Sequence, residues 1–533
     1  MQLEALLAAL ADPAAYPETA DGIEIHQTHI SAVFLVGEHA YKIKKPVALG
    51  FLDFSTLAQR RHFCDEELRL NRRLAGDVYL EVVPIVATGN GRVKVEGAGE
   101  PIEWAVKMRR LPDDATLEHR LVHGERIAGL LTALAERIAQ FHSAAARGPR
   151  ISEFGRFAVV AENARENLEQ SSEQIGTAVS RGVFDRLRAM LETTLARWRA
   201  TIDGRADRGV PCDTHGDLRL GHVYYFPDRR PPDNLVVVDC IEFNERFRFA
   251  DPVADMAFLV TGLIRCGHAE LADTFADAYF RAAGDDEGRA LLQLYVSYRA
   301  AVRGKVDGMQ AIRQEIPAAD RQVALAKARG YWLLALAALE SPDRRPCLLL
   351  VGGLPGAGKS TLAADLAQAA GCEVIRSDVV RKELAGSEAD ISQSAEFDRG
   401  IYAPEWTERT YAECLRRAMA HLFEGRRVIV DASFRAEAQR TRFLDAAAHA
   451  GVRPVFLYCQ ADAEMIRQRL AQRTGDASDA DWDIYQQAAR LWEEPGDNTQ
   501  RLLATIDTGK SREAALAAAL EALGQRGLHE HGP

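Results

Sequence analysis

The sequence predicts two folded domains in series: an α+β domain with a small β-rich lobe and a larger α-rich lobe, then an α/β domain with a parallel, doubly wound sheet. Three observations carry this expectation. At 533 residues the chain exceeds what one core usually supports. Alternating apolar patterns concentrate early and give way to long helical patterns from about Gly124. From Cys347 onward, short apolar strands alternate with helices, and the first strand–helix junction reads Gly353-Leu-Pro-Gly356-Ala357-Gly358-Lys359-Ser360.

That junction is the firmest point in the chain. Cys347–Val351 reads as a buried strand and Thr361–Ala370 as the helix after the loop. A G-x-x-x-x-G-K-[ST] loop in this context binds phosphate: glycines let successive N–H groups point inward, and the helix N-terminus adds favourable dipole charge. Gly353, Gly356, Ala357, Gly358 and Thr361 would contribute to the cradle, Lys359 would reach the β/γ-phosphates, and Ser360 would ligate Mg²⁺. ATP with Mg²⁺ is the expected cofactor pair, with GTP left open.

Composition narrows the partners. A net charge of −11 argues against a general nucleic-acid coat or an anionic membrane surface, so small molecules are expected, and no protein partner is inferred. Eight scattered cysteines, with no C-x-x-C pair, fit reduced thiols in a cytoplasmic protein. The opening MQLEALLAALADP lacks a basic start and carries Glu4, so it reads as an amphipathic helix and not a signal peptide. No apolar run approaches membrane-spanning length.

In the first domain, His29–Lys45 alternates around a Gly37-Glu38 turn and predicts a hairpin whose second arm carries Lys42 and Lys44 on one face. Lys44 and Lys45 read as solvated. Leu57–Ala75 predicts a helix bearing Glu66 and Glu67, and Val78–Thr88 and Pro101–Arg110 predict further strands. Helices are expected at Gly124–Ala146, Glu162–Leu168, Val183–Ile202 and from Pro252 to Ala338, interrupted by strand-and-loop stretches at Asp213–Phe226 and Leu235–Phe243. The β-rich lobe spans about 20–111 and the α-rich lobe about 112–340. Residues 341–346, polar and bracketed by prolines, read as a linker before a second domain at 347–533.

The segment Asp213-Thr-His215-Gly-Asp217-Leu-Arg-Leu-Gly-His222 resembles the catalytic loop of protein-kinase-like phosphotransferases of the aminoglycoside/choline branch, H-x-D-x-x-x-x-N. The resemblance covers most of residues 20–330. It implies a bilobal kinase-like fold in which Asp217 orients or deprotonates an acceptor hydroxyl and Lys42 pairs with nucleotide phosphates and with Glu67. It further implies that Asp239, after Val236-Val-Val, binds metal, with Glu242 within reach of the same role, and that Asp255 is a structural aspartate. His222 stands where the family has a metal-binding asparagine. A neutral imidazole can ligate a metal, whereas Mg²⁺ prefers oxygen.

In the second domain, strands are expected at Glu373–Arg376, Arg427–Val430, Pro454–Cys459 and Leu502–Ile506, with helices at about Pro404–Glu424, Glu437–Ala450, Ala463–Gln472, Ala480–Glu493 and Arg512–Leu523. The site then lies at the carboxyl ends of the strands. Asp431 would hold the metal shell, and the absence of an adjacent glutamate favours transfer to a hydroxyl over hydrolysis coupled to movement. Asp378 and Arg381, a D-x-x-R pair, resemble the acceptor side of P-loop small-substrate and polynucleotide 5′-kinases, and more loosely zeta-toxin-like and gluconate-type kinases. Asp378 also fits a helix cap. Arg467 and Arg473 would close over the phosphates as a lid, although their spacing equally fits a solvated helix face, and Arg440 is a weaker candidate for that task. The aromatic and polar stretch Phe397–Tyr411 is where acceptor specificity would reside.

The fused arrangement is similar to a bacterial bifunctional family with an aminoglycoside-phosphotransferase-like domain followed by a P-loop kinase domain. The function this implies is an ATP/Mg²⁺-dependent phosphotransferase acting on a hydroxyl of a small metabolite. Three other functions stay open: a polynucleotide or nucleoside 5′-hydroxyl kinase, for which a nucleic-acid end is the less favoured substrate; a regulatory ATP-binding protein with a degenerate first domain; and a kinase-like toxin.

Overall fold

The computed structural model describes residues 1–530 except 21, 51, 90, 315, 387–402 and 473–480. The chain divides into two compact units: one of residues 1–161, 198–263 and 269–292, the other of residues 162–197, 264–268 and 293–533. Among the described residues no helix is long and apolar enough to cross a membrane.

The first unit opens with the helix Leu3–Leu10 and a sheet of β1 (Ile23–Gln27), β2 (Ser31–Val36), β3 (His39–Lys44), β4 (Tyr79–Gly89), β5 (Arg92–Val95) and β6 (Pro101–Arg109). The strands are antiparallel in the order β1-β2-β3-β6-β4-β5. Alternation assigns their faces. Phe34, Tyr41, Ile43, Ile85 and Ala105 pack with Leu6 and Leu10 in one core, so Lys42 and Lys44 leave β3 on the opposite face. There lies the helix Leu57–Asn71, packed against β6 and β4. Its start is fixed by a reciprocal cap: Thr56 Oγ1 accepts the Gln59 N–H at 3.2 Å, and Gln59 Oε1 accepts the Thr56 N–H at 3.1 Å.

The rest of this unit is mainly helical, with Ala128–Ala144 packed on Ala269–Ala283 and the helix Pro252–Arg265 almost wholly buried. A ribbon of β7 (Val223–Tyr225) and β8 (Leu235–Val237) carries the loop that follows the H-x-D segment. Arg205, 2 % exposed, is held by Asp251 and Asp285, each at 2.7 Å.

The second unit is built on β9 (Cys347–Gly352), β10 (Cys372–Arg376), β11 (Arg427–Asp431), β12 (Arg453–Gln460) and β13 (Leu503–Asp507), all parallel in the order β10-β11-β9-β12-β13. Every residue of β9 is buried, as a central parallel strand requires. Cys347, Leu349 and Val351 join a core with Leu362, Leu366, Ala519 and Leu523 from the helices Lys359–Ala370 and Arg512–Gly524. The alternate residues Leu348 and Leu350 are buried on the other face.

The helices Leu292–Ala311 and Ala318–Leu339, read from the sequence with the first domain, lie within this second unit from residue 293 onward. Trp332 and Leu336 are buried, and Arg186 donates to the carbonyl of Gly425 at 2.9 Å while pairing with Glu340. Close backbone approach reinforces this packing. Gly451, at φ 69°, has its α-carbon where a Cβ would overlap the carbonyl oxygen of Gly330. The substitution Gly451→Ala combines a left-handed backbone with that overlap and is expected to destabilise this unit by about 2 kcal/mol or more. A lowered denaturant midpoint with an unchanged slope would check this, and an unchanged midpoint would refute it.

Candidate functional sites

In the first unit one buried carboxylate organises the site. Glu67, 1 % exposed in its side chain, places one oxygen 2.8 Å from Lys42 and the other 2.8 Å from Lys44. Lys42 also reaches Oδ1 of Asp239 at 2.8 Å, and Lys44 pairs with Glu242. Burial lowers Lys42, but Asp239 and Glu67 outweigh it and hold the ammonium well above its usual range. Burial likewise raises Asp239, and Lys42 with His222 overcomes it, keeping the carboxylate ionised far below the usual range. Glu242 is raised by burial despite Lys44. Lys44 is therefore not the solvated residue its sequence context implies: it is 2 % exposed and lies 5.0 Å from the centre of the Phe54 ring. The alternation of β3 required it to share the face of Lys42, and the acids of other elements supplied the partners that make burial tolerable.

Asp239 and Glu242 separate by geometry. Asp239, with a left-handed φ of 64°, faces Lys42 and His222, and its N–H is held by the Tyr79 hydroxyl at 3.2 Å. Glu242 is turned to Lys44.

The H-x-D loop is clamped from behind. Asp255 accepts the N–H groups of His215 at 3.0 Å and Gly216 at 2.8 Å, and His142 Nε2 lies 3.0 Å from the same carboxylate with its other ring nitrogen on Tyr279. His215 Nε2 meets the carbonyl of Val238 at 3.0 Å, and its Nδ1 accepts the Asp217 N–H at 3.3 Å. Both ring nitrogens are thus spent on backbone groups, which requires a neutral ring. Burial pushes this imidazole down to about 4. In front, Arg219 Nε binds Oδ2 of Asp217 at 2.9 Å, and the donor atoms of Asp217, His222 and Asp239 lie within 4.8 Å of one another.

In the second unit the register brings the strand ends together: Val351 pairs with Asp431, Arg376 with Asp431, and Gly352 with Tyr458. Gly353, at φ 141°, follows β9 and donates to the Ser433 carbonyl at 3.1 Å, and Lys359 Nζ folds back to the Leu354 carbonyl at 2.9 Å. Gly358, at φ 82°, precedes the helix that Lys359 starts. Asp431, 5 % exposed, is raised by burial, which Lys359 and a hydrogen bond from Ser360 oppose and nearby Asp378 assists. Ser360 and Asp431 form an all-oxygen donor set that fits Mg²⁺. Asp378 and Arg381 lie on the helix Ser377–Leu384, where Arg381 is buried and reaches Thr407 at 3.3 Å.

A cavity of about 350 Å³ lies on the outer side of the loop, lined by Gly356, Lys359, Thr361, Arg469, Thr508 and Lys510 among others. Arg469, on the helix Ala463–Ala471, points there and anchors to the Thr508 carbonyl at 2.7 Å. Arg467 faces elsewhere, 5.7 Å from the centre of the Trp482 ring. Arg440 is fully buried, paired with Glu437 and stacked near Trp492. Arg473 and the first six residues of the expected specificity stretch, 397–402, lie outside the described residues. The sequence reading missed Arg469, Thr508 and Lys510. The usable signal was that Thr508 and Lys510 follow the last strand at the carboxyl edge of the sheet.

A strand lysine shared with a helix glutamate, an H-x-D loop, and a phosphate loop beside a strand-end aspartate are the working parts of ATP-dependent phosphotransferases. That is the class this fold and these sites define. Residues 348–495 match the AAA domain family model. The chain is 33 % identical over 464 residues to the uncharacterized protein Rv2004c of Mycobacterium tuberculosis (strain ATCC 25618 / H37Rv), covering 87 % of this chain and 88 % of that protein, and it belongs to the same family. Among solved structures it is similar to a GDP complex of aminoglycoside 2′-phosphotransferase-IIIa (16 % identity, 60 % of this chain and 94 % of that one, TM-score 0.39). It is also similar to a gluconokinase from Sinorhizobium meliloti 1021 (17 % identity, 34 % of this chain and 93 % of that one, TM-score 0.27).

Removing Lys44 leaves Glu67 and Glu242 facing each other in a buried site. The substitution Lys44→Ala is expected to cost about 3–5 kcal/mol in denaturant unfolding of the first unit, whereas Lys45→Ala, which removes a half-buried lysine's hydrogen bonds to Gln27 and the Thr28 carbonyl, is expected to cost about 1 kcal/mol. Equal effects of the two substitutions would contradict this assignment.

Proposed function

We propose that the protein is an ATP- and Mg²⁺-dependent phosphotransferase that moves the γ-phosphoryl group to a hydroxyl of a small metabolite, with the phosphate-loop domain as its main catalytic unit. The observation that carries this reading is the setting of Asp431 among Ser360, Lys359 and Asp378. In it Ser360 and Asp431 would hold the metal shell, and Lys359 with the loop N–H groups would neutralise charge spreading over the transferring group. The acceptor oxygen attacks Pγ as the bond to the β-phosphate oxygen breaks and ADP leaves. Asp378 takes the acceptor proton, and Arg381 holds the acceptor in line. In the first unit, Lys42 and Glu67 would position nucleotide phosphates, Asp239 and His222 would hold metal, and Asp217 would face the second acceptor.

A second reading is favoured by one contact. The guanidinium of Arg219 already occupies Oδ2 of Asp217, one of the two oxygens that could receive an acceptor hydroxyl. In this reading the first unit binds nucleotide without transferring phosphate and gates the second.

Incubation of labelled ATP with a fractionated metabolite extract, read by mass spectrometry, separates these readings. Product that Lys359→Ala abolishes and Asp217→Ala leaves intact supports the phosphate-loop domain as the kinase and the first unit as regulator. Loss only in Asp217→Ala inverts the assignment, loss of different products establishes two kinases, and no product from the wild type counts against both as catalysts.

Arg469 is expected to contact the nucleotide through a charge-assisted hydrogen bond. The substitution Arg469→Ala should weaken ATP binding by about ten- to a hundredfold, from about 1.5–3 kcal/mol. Calorimetric titration of ATP into the full chain measures this, and an unchanged Kd would remove Arg469 from the site.

A further inference from the structure

The loop from Asp217 to His222 holds a cation of its own. Arg219 Nε donates to Oδ2 of Asp217 at 2.9 Å, and its Nη2 donates to Nε2 of His222 at 2.5 Å. On the other side of the ring, His222 Nδ1 lies 2.9 Å from the backbone carbonyl oxygen of Asp217. A carbonyl can only accept, so Nδ1 carries the proton and Nε2 keeps the lone pair. A backbone oxygen on one nitrogen and an unprotonated lone pair on the other is the arrangement that orients metal-ligating histidines. The lone pair is aimed at the right place: Nε2 is 3.6 Å from Oδ2 of Asp239, and Asp217 completes a donor set within 4.8 Å. The ring is largely enclosed, with 14 % of its side-chain surface exposed.

This donor set differs in kind from that of the second unit. One imidazole nitrogen with two carboxylates suits first-row divalent cations of borderline softness, whereas Mg²⁺ strongly prefers oxygen and holds its water. The guanidinium now fills the position such a cation would take and presents its hydrogens to the same two donor atoms.

We propose that the first unit carries a mixed nitrogen–oxygen metal site formed by Asp217, His222 and Asp239 and selective for Mn²⁺ or a similar first-row cation over Mg²⁺, with Arg219 as an internal cation that the metal displaces. The proposal rests on the reading of this unit as a nucleotide and metal site. Displacement frees the guanidinium to turn toward an anionic ligand and passes Oδ2 of Asp217 from Arg219 to the metal. Metal binding and release of Arg219 therefore become one event.

The test is electron spin-echo spectroscopy of the full-length protein with Mn²⁺ as the only added divalent cation. The wild type is expected to show imidazole ¹⁴N coupling that disappears in His222→Asn, a substitution small enough to keep the loop. Mg²⁺ should displace Mn²⁺ from the wild type only in large excess and from His222→Asn at a concentration about tenfold lower relative to Mn²⁺. Removing the competing guanidinium in Arg219→Ala should tighten Mn²⁺ binding about tenfold, the equivalent of one charge-assisted hydrogen bond. Absence of ¹⁴N coupling in the wild type, or its persistence in His222→Asn, overturns the site, and weaker Mn²⁺ binding by Arg219→Ala overturns the competition. Phosphoryl transfer is not read. Coupling in a catalytically silent first unit would thus uphold the site and remove only its catalytic use, and no coupling in an active one would do the reverse.

Discussion

The first unit depends on a single shared carboxylate. Glu67 is buried against two lysines that β3 delivers to the same face, and each lysine needs a second acid to be tolerated there. Five charged groups from a strand, a helix and the segment after β8 thus satisfy one another, four of them largely shielded from water and Asp239 at the edge with 45 % of its side chain exposed. None can be removed without stranding a neighbour, because desolvation of an unpaired charge exceeds what packing returns. The arrangement also leaves 15 % of the Lys42 side chain exposed while Lys44 is buried.

The second unit uses a different constraint. Parallel strands all end at one edge, and β9 at the centre of its sheet directs the phosphate loop there alongside Asp431 and the start of the helix carrying Asp378. Backbone N–H groups, the helix dipole and Lys359 then converge without any long-range pairing of side chains. Here the site follows from topology. In the first unit it follows from side-chain charge.

The two sites also contrast in donor chemistry. Ser360 and Asp431 present hard oxygens, whereas His222 brings nitrogen to Asp217 and Asp239. In that second set Arg219 is hydrogen-bonded to both Asp217 and His222.

Much of this was legible from sequence because it rests on local rules. The apolar run of β9 with its glycine-rich junction fixed the phosphate loop, the hairpin alternation put Lys42 and Lys44 on one face, and strand–helix alternation predicted the parallel sheet. What could not be read depends on which residues meet across long separations. Lys44 looked solvated because its acids, Glu67 and Glu242, lie 23 and 198 positions away. Arg467 and Arg469 share a helix and a charge, and only the packing of that helix against Thr508 and Trp482 decides which one faces the cavity. The helices up to Leu339 were read with the first domain by their texture, yet residues 293–339 pack in the second unit, since texture records that a helix has an apolar face and not what covers it. By itself the sequence determined the element types, the loop and the chemical identity of the groups, because period and glycine placement are properties of neighbours along the chain. Only the tertiary structure decided which charges are buried, which arginine faces the cavity beside the phosphate loop and what occupies the lone pair of His222, because those are settled by dielectric and distance.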